Sequence, residues 1–138
     1  MIQKKIYLNR IKELNNRTRG YKIFLNGQYY EDILNNEDKI ILIDSESTEL
    51  FLKIDWCKSK KIKIKFQDNE TEKKYIISSS ISNNTWHIIV GGIVLSLGLF
   101  FSLKINLFGI LAIIFVLIPV YKITFGKNKY LILRKIED

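Results

Sequence analysis

The chain contains one cysteine, one histidine and one proline, and each scarcity closes off a class of protein. With Cys57 alone, no intrachain disulfide can form, which agrees with a reducing compartment. One His and one Cys cannot make up the donor set of an ordinary zinc site. Glycine-rich phosphate loops, nucleophile elbows, metal-binding helical motifs and EF-hand spacing are all absent. No reaction and no cofactor is therefore read from this sequence, and a non-enzymatic role is expected. Met1–Arg10 is interrupted by Lys4, Lys5 and Arg10, so it lacks the apolar core, about 7–15 residues long, of a secretory signal. Without an export signal the N-terminal part is expected to stay in the cytoplasm. There is no internal repeat and no long low-complexity tract. The bias toward Ile, Lys and Asn is common where genomes are AT-rich and points to a bacterial source.

Against these absences stand two uncharged apolar runs, His87–Leu103 and Ile105–Tyr121, each 17 residues long and separated only by Lys104. That length is the short end of what crosses a hydrocarbon core roughly 30 Å thick. The pair reads as a transmembrane helical hairpin with spans at about 86–103 and 105–122. Trp86 and Tyr121 stand at the two near edges, where aromatic side chains favour the interface. Pro119 falls in the last turn of the second run, where a lost hydrogen bond is best tolerated.

Charge orients the hairpin. Residues 1–86 hold 16 Lys+Arg and 12 Asp+Glu, and residues 87–138 hold 6 and 2, so each part carries +4. Lys122, Lys127, Lys129, Arg134 and Lys135 follow the second run, against Lys104 alone in the turn. By the positive-inside rule both termini are cytoplasmic, in a multi-pass protein of the bacterial inner membrane. The net +8 is accounted for by this rule and by attraction to anionic lipid, so no nucleic-acid partner is expected. Membrane-interface roles fall to Trp86, Lys104, Tyr121 and Lys122.

Residues 1–80 read as a cytoplasmic all-β domain. They contain no proline and no alanine, and apolar residues recur with a period of two. About seven short strands at roughly 8–12-residue spacing follow: Lys4–Leu8, Tyr21–Leu25, Gln28–Leu34, Lys39–Asp44, Glu49–Asp55, Lys60–Gln67 and Glu72–Ser78. Asn26-Gly27 is the strongest hairpin signal, and Asp68–Thr71 reads as another turn. An antiparallel β-sandwich is the natural outcome. Residues 81–126 form linker and hairpin. The basic tail, residues 127–138, has strand character over Lys129–Ile136, fit to add an edge strand to the sheet.

Gly91, Gly92 and Gly98 on the first span, with Gly109 and Ala112 on the second, are candidate helix-packing positions, because small residues let helices approach closely in lipid. They serve the hairpin itself or a contact between subunits. Lys58, Lys61, Lys63 and Lys65 form a basic strand face that suits either solvent or anionic lipid. His87 reads as a passive edge residue. Trp56 and Cys57 read as core or sheet-edge residues, with a reactive thiol beside Lys58 as the sharper alternative. Acidic residues gather at turns, where they are solvated. The Asn-x-Thr triplets at Asn16, Asn69 and Asn83 are irrelevant to glycosylation in a cytoplasmic setting.

Three stretches carry a resemblance: Asn15-Asn16-Arg17, Tyr21-Lys22-Ile23-Phe24-Leu25-Asn26-Gly27 and Lys53-Ile54-Asp55-Trp56-Cys57-Lys58-Ser59. Over roughly residues 2–78 the chain resembles small bacterial membrane-associated proteins with a PEGA-like β-sandwich. The resemblance implies a binding or adaptor module. The Pro-Glu-Gly-Ala string itself is not present, and no functional residue is carried over. The expected function is a β domain that binds a protein partner or a second copy of itself at the lipid bilayer. The alternative is an oligomerising two-span effector that disrupts the membrane or forms a channel, antiphage or toxin-like.

Overall fold

A computed structural model of the chain describes residues 3–67 and 70–136. Strands form where apolar and polar residues alternate. They are β1 (Lys4–Arg10), β2 (Tyr21–Leu25), β3 (Gln28–Ile33), β4 (Asp38–Ile43), β5 (Ser47–Ile54), β6 (Cys57–Lys58), β7 (Ile62–Lys65) and β8 (Glu72–Ser79). The chain then runs through helices α1 (Asn83–Leu103) and α2 (Asn106–Thr124), a 3-10 turn at Lys127–Lys129, and β9 (Leu131–Lys135). In β2, Tyr21 and Ile23 are buried while Lys22 between them is exposed. Asn26 and Gly27 both take positive φ, 49° and 83°, which a two-residue hairpin turn of this hand requires. The Asn26 side chain accepts from the Glu49 amide at 2.8 Å and so fastens this turn to β5. Residues 68 and 69 of the expected Asp68–Thr71 turn, with the Asn69 triplet, lie outside the described residues.

The strands make two sheets. One has the order β4-β1-β8-β9, and the other joins β3-β2-β5-β6 with β7 also paired to β5. The expectation of purely antiparallel sheets is corrected by the first of these. β1 and β8 pair in parallel, with Lys5 opposite Glu72 and Arg10 opposite Ile77. No hairpin turn links these two strands, since the whole second sheet lies between them in sequence. Their relative direction was therefore free of the turn chemistry that sets hairpins. Cys57–Lys58, expected as a connection, instead turns back on β5 through Asp55-Trp56, with Ile54 opposite Cys57.

Both sheets feed one apolar core. Ile6, Leu8 and Ile77 from the first meet Ile23, Leu50 and Leu52 from the second, all at most 1% exposed. Each such side chain stabilises the fold by about 1.5–3 kcal/mol relative to exposure. Ile81, Ile89 and Leu131 belong to the same core, so it extends to the base of the hairpin.

The helices of 21 and 19 residues are roughly 31 and 28 Å long. Both are long and apolar enough to cross a membrane. They pack on each other, and only Ile89, Ser96 and Ala112 are buried along their length. Lys104 at φ 56° ends α1, and its amide donates to the Phe100 carbonyl at 2.8 Å.

Candidate functional site

The most constructed region of the molecule is where the hairpin leaves and rejoins the sheets. On the outward side, β8 runs into Ser82, whose hydroxyl caps α1 by accepting from the Thr85 amide at 3.2 Å. Asn83 then reaches back to the loop that follows β1. Its Oδ1 accepts from Leu14 N and its Nδ2 donates to the Lys12 carbonyl, both at 2.9 Å. On the return side the chain turns at 127–129, and Ser80 N donates to the Tyr130 carbonyl at 2.7 Å. β9 then pairs antiparallel with β8, Ser79 opposite Leu131 and Tyr75 opposite Lys135. Both ends of the hairpin are thus held by neighbouring strands of one sheet.

A buried polar network fills the space beneath this junction. Arg10 is fully buried and donates to the carbonyls of Arg19, Ile33 and Asn16 at 2.7, 2.9 and 3.0 Å. Its guanidinium lies 3.5 Å from the centre of the Tyr21 ring, and its Nε is 3.5 Å from Glu13 Oε2. Glu13 accepts from the Tyr21 hydroxyl and from the Ser79 amide. Asn16 Nδ2 donates to the hydroxyls of Tyr21 at 2.9 Å and Tyr130 at 3.2 Å. Burial, then the Glu13 carboxylate, push the Tyr21 phenol above its ordinary range. Burial alone leads the smaller rise at Tyr130. The network connects β1, β2, β8 and the segment returning from α2, and Asn15 joins it through Nδ2, which donates to the Ser79 and Tyr130 hydroxyls at 3.2 Å. Among the described residues, its buried side-chain atoms are all hydrogen-bonded except Arg10 Nε and Asn15 Oδ1. Single polar letters scattered through a charged sequence gave no sign of this convergence. Arg10 and Glu13 look like ordinary surface residues there.

The turn between β5 and β6 touches the same junction from the other sheet. The Trp56 indole donates to the Ile123 carbonyl at 3.2 Å and the Cys57 thiol to the same oxygen at 3.5 Å. Cys57 is 4% exposed and burial pushes its thiol upward, with the Asp55 charge adding to this and Lys127 opposing it. Both the burial and the direction of this shift run opposite to the lowered thiol that activation by Lys58 would produce. Of the two places expected for this pair, Cys57 takes the core and Trp56 the sheet edge, where it is 65% exposed.

The other residues singled out from the sequence are dispersed. Trp86 packs against the core cluster, Tyr121 is exposed and stacks on Phe125 at 5.5 Å, and Lys122 is in the last turn of α2. Lys104 forms the opposite tip. Gly92 faces α2, where an added Cβ would lie 2.5 Å from the Phe115 ring, and Gly109 abuts Phe100. Gly91 and Gly98 have nothing within 4 Å. Lys58 sits at the junction, but Lys61 pairs with Glu49 at 2.8 Å. Lys63 and Lys65 continue along β5, opposite Glu49 and Ser47. The register sets Lys58 opposite Lys53, Lys63 opposite Glu49 and Lys65 opposite Ser47, so these lysines share one face of the sheet, spread along roughly 20 Å of β5.

The outer face of the first sheet is apolar for a solvated surface. Ile40 and Leu42 of edge strand β4 are 53% and 51% exposed. They stand opposite Tyr7 and Lys5 of β1. Tyr7, Ile40, Lys74 and Ile136 border a depression of about 390 Å³ on this face. Among the described residues no three His, Cys, Asp or Glu side chains gather as a metal site. Compared with protein-family models, curated proteins and solved structures, the chain matches none.

Proposed function

We propose that this chain is a non-enzymatic protein of the bacterial inner membrane, whose β domain associates with a second copy of itself or with a protein partner at the bilayer. In this reading the two sheets face each other as a sandwich on the cytoplasmic side, and Lys104 lies across the membrane. The observation that carries it is the position of the exposed Ile40 and Leu42 on the edge strand of a sheet whose last two strands bracket the hairpin. An edge strand offers unpaired backbone groups together with its side chains. A partner added there is held at the membrane through continuous sheet. With Ile41 on a twofold axis, antiparallel self-pairing of β4 sets Ile40 of each copy against Leu42 of the other and Lys39 against Ile43.

The test is the mass of the purified full chain in nanodiscs. A dimer that Ile40→Lys and Leu42→Lys convert to monomer supports self-association. A monomer whose Ile40 photo-crosslinks to no other protein in cells overturns the binding reading. Topology is read with Ser45→Cys in a Cys57→Ala background, since Ser45 lies in the exposed β4–β5 turn. Labelling by an impermeant thiol reagent in intact cells would overturn cytoplasmic placement. The outward, uncovered Gly91 and Gly98 favour a second reading, in which hairpins pack together and breach the bilayer. Dye release from vesicles carrying the protein separates it from the first.

A further inference from the structure

We infer that the hairpin-proximal end of the β domain is itself a lipid-binding surface, with Trp56 seated at the headgroup level and the surrounding lysines selecting anionic phospholipid. This rests on membrane insertion of the hairpin, as proposed above, and adds a ligand and a second point of attachment.

Trp56 lies 67 residues from Ile123 in sequence, yet its indole bonds the carbonyl near the end of α2. Its ring is therefore fixed at the depth where that helix leaves the apolar layer, and it remains 65% exposed there. Phe125, 83% exposed, and Tyr121, two residues to either side of Ile123, stack on each other at the same end of α2. Three uncovered aromatic rings at one helix end are costly in water. At a bilayer interface they are favourable, the indole keeping its hydrogen bond while its ring meets lipid.

The charges at this end agree. β6, with Lys58, packs on the turn that carries Lys127 and Lys129, and Lys127 is close enough to act on the Cys57 thiol. Lys60 and Lys129 flank a groove of about 250 Å³ whose other walls include Ile62, Leu131 and Leu133. A cationic rim over an apolar floor fits an amphiphile: phosphate against the ammonium groups, glycerol and upper acyl carbons below. Among the described residues, Lys58, Lys60, Lys122, Lys127 and Lys129 take part in no ion pair. Lys5 and Lys73, at the far end of β8, are paired with Glu72 and Glu70, while Lys63 and Lys65 of β7 are likewise in no ion pair among the described residues, so it is the exposed aromatic rings beside the lysines that set the hairpin end apart. Asp55, the residue before Trp56, is engaged by Arg19 at 2.5 Å. Lysines left without carboxylates beside exposed aromatic rings match an anionic headgroup layer, which a neutral protein surface or plain solvent would not require.

The experiment uses the full-length Trp86→Phe protein in vesicles, so that Trp56 is the sole tryptophan. Phosphatidylcholine and phosphatidylglycerol, each brominated near the top of the acyl chain, are supplied in turn at equal mole fraction within an otherwise identical mixture. Retention after carbonate washing establishes insertion independently. We expect quenching of Trp56 by both lipids, stronger by about twofold with brominated phosphatidylglycerol. The preference should vanish in Lys58→Gln/Lys127→Gln/Lys129→Gln and in 1 M salt. Equal quenching by the two lipids overturns the selectivity. Carbonate-resistant protein whose Trp56 is quenched by neither overturns the inference and leaves the anchor intact, whereas loss to the carbonate wash overturns the anchor itself. The comparison of lipids is made within one protein, so a folding defect in the triple variant does not obscure it.

Discussion

Replacing Arg10 by Met is the most direct test of whether the buried network holds the junction together. The substitution preserves much of the side-chain volume. It removes three hydrogen bonds, at 2.7, 2.9 and 3.0 Å, to main-chain carbonyls. It also leaves Glu13, 3% exposed, without its neighbouring cation. Breaking a buried charge pair by removing one partner costs about 3–5 kcal/mol, a large share of the roughly 5–15 kcal/mol that stabilises a small domain. Cys57 supplies the readout, since it is the sole cysteine and is buried in the β core. Pulsed thiol labelling across a urea series in micelles reports opening of the β domain, while micelle-bound helices stay folded. With a urea slope of about 1.5 kcal/mol/M, the midpoint of Arg10→Met should fall by about 2–3 M. Adding Glu13→Gln removes the stranded charge and should recover at least about 1 kcal/mol of the loss. A single variant within about 0.5 M of the parent, or a double variant no better than the single, refutes the argument.

Three further outcomes follow from the geometry. Gly92→Ala places a methyl 2.5 Å from the Phe115 ring and should cost about 1–3 kcal/mol by overpacking; Gly91→Ala and Gly98→Ala, with open space around them, should not. Spin labels at Leu103 and Leu107, on a Cys57→Ala background, should show a broadened distance distribution in the first variant only, and Phe115→Leu should narrow it again. Leu131→Ala, at a position 2% exposed, should lower β-domain stability by about 2–5 kcal/mol in the labelling assay; an unchanged midpoint would mean that β9 does not pack on the core. Because burial raises the Tyr21 pKa above its ordinary 10.0, the folded protein keeps a proton that the unfolded chain releases. The stabilisation is thus complete below pH about 10 and is lost as pH rises above it. The urea midpoint should decline through this range, and Tyr21→Phe should flatten the decline; a parent profile level to pH 11 contradicts it.

How much of this was legible depended on whether a feature is local in sequence. The two apolar helices are visible because 17 consecutive uncharged residues leave few alternatives. The β2–β3 turn is visible because Asn-Gly tolerates the positive φ that it adopts. Lys104 as a turn could be read from being the one charge between two runs. The parallel β1–β8 pairing has no such local sign, since alternation reports burial and not the direction of a neighbour. Trp56 could be narrowed only to core or sheet edge for a related reason. An aromatic after an alternating strand usually continues into the core, but Asp55 at φ 49° turns the chain there and sends the ring outward. The Arg10–Glu13–Tyr21–Tyr130 network spans 120 residues of sequence, and polar residues carry no periodic mark of mutual contact. Glycine spacing showed which positions were small but not which face α2 would cover, so Gly92 could not be told from Gly91 and Gly98.

The structure also bears on how a hairpin and a domain communicate. A helical pair joined to a soluble domain by flexible linkers can change its tilt or packing without cost to the domain. Here the linker before α1 is pinned at Asn83 to the backbone at Lys12 and Leu14, and the segment after α2 enters the sheet within a few residues. Tyr130 places its hydroxyl in the same buried network that Arg10 organises. Movement of either helix base relative to the sheet must therefore break hydrogen bonds to buried groups, each worth about 0.5–1.5 kcal/mol when made and more when a buried partner is left bare. In the proposed membrane-anchored arrangement this coupling would fix the orientation of β4 relative to the bilayer. A moving hairpin would need the same contacts to have a second arrangement of nearly equal free energy, and the close packing of Arg10 against Tyr21 and Glu13 argues for one arrangement. The orientation of the exposed β4 edge is then a property of the whole chain, set jointly by the sheet, the buried network and the helix ends.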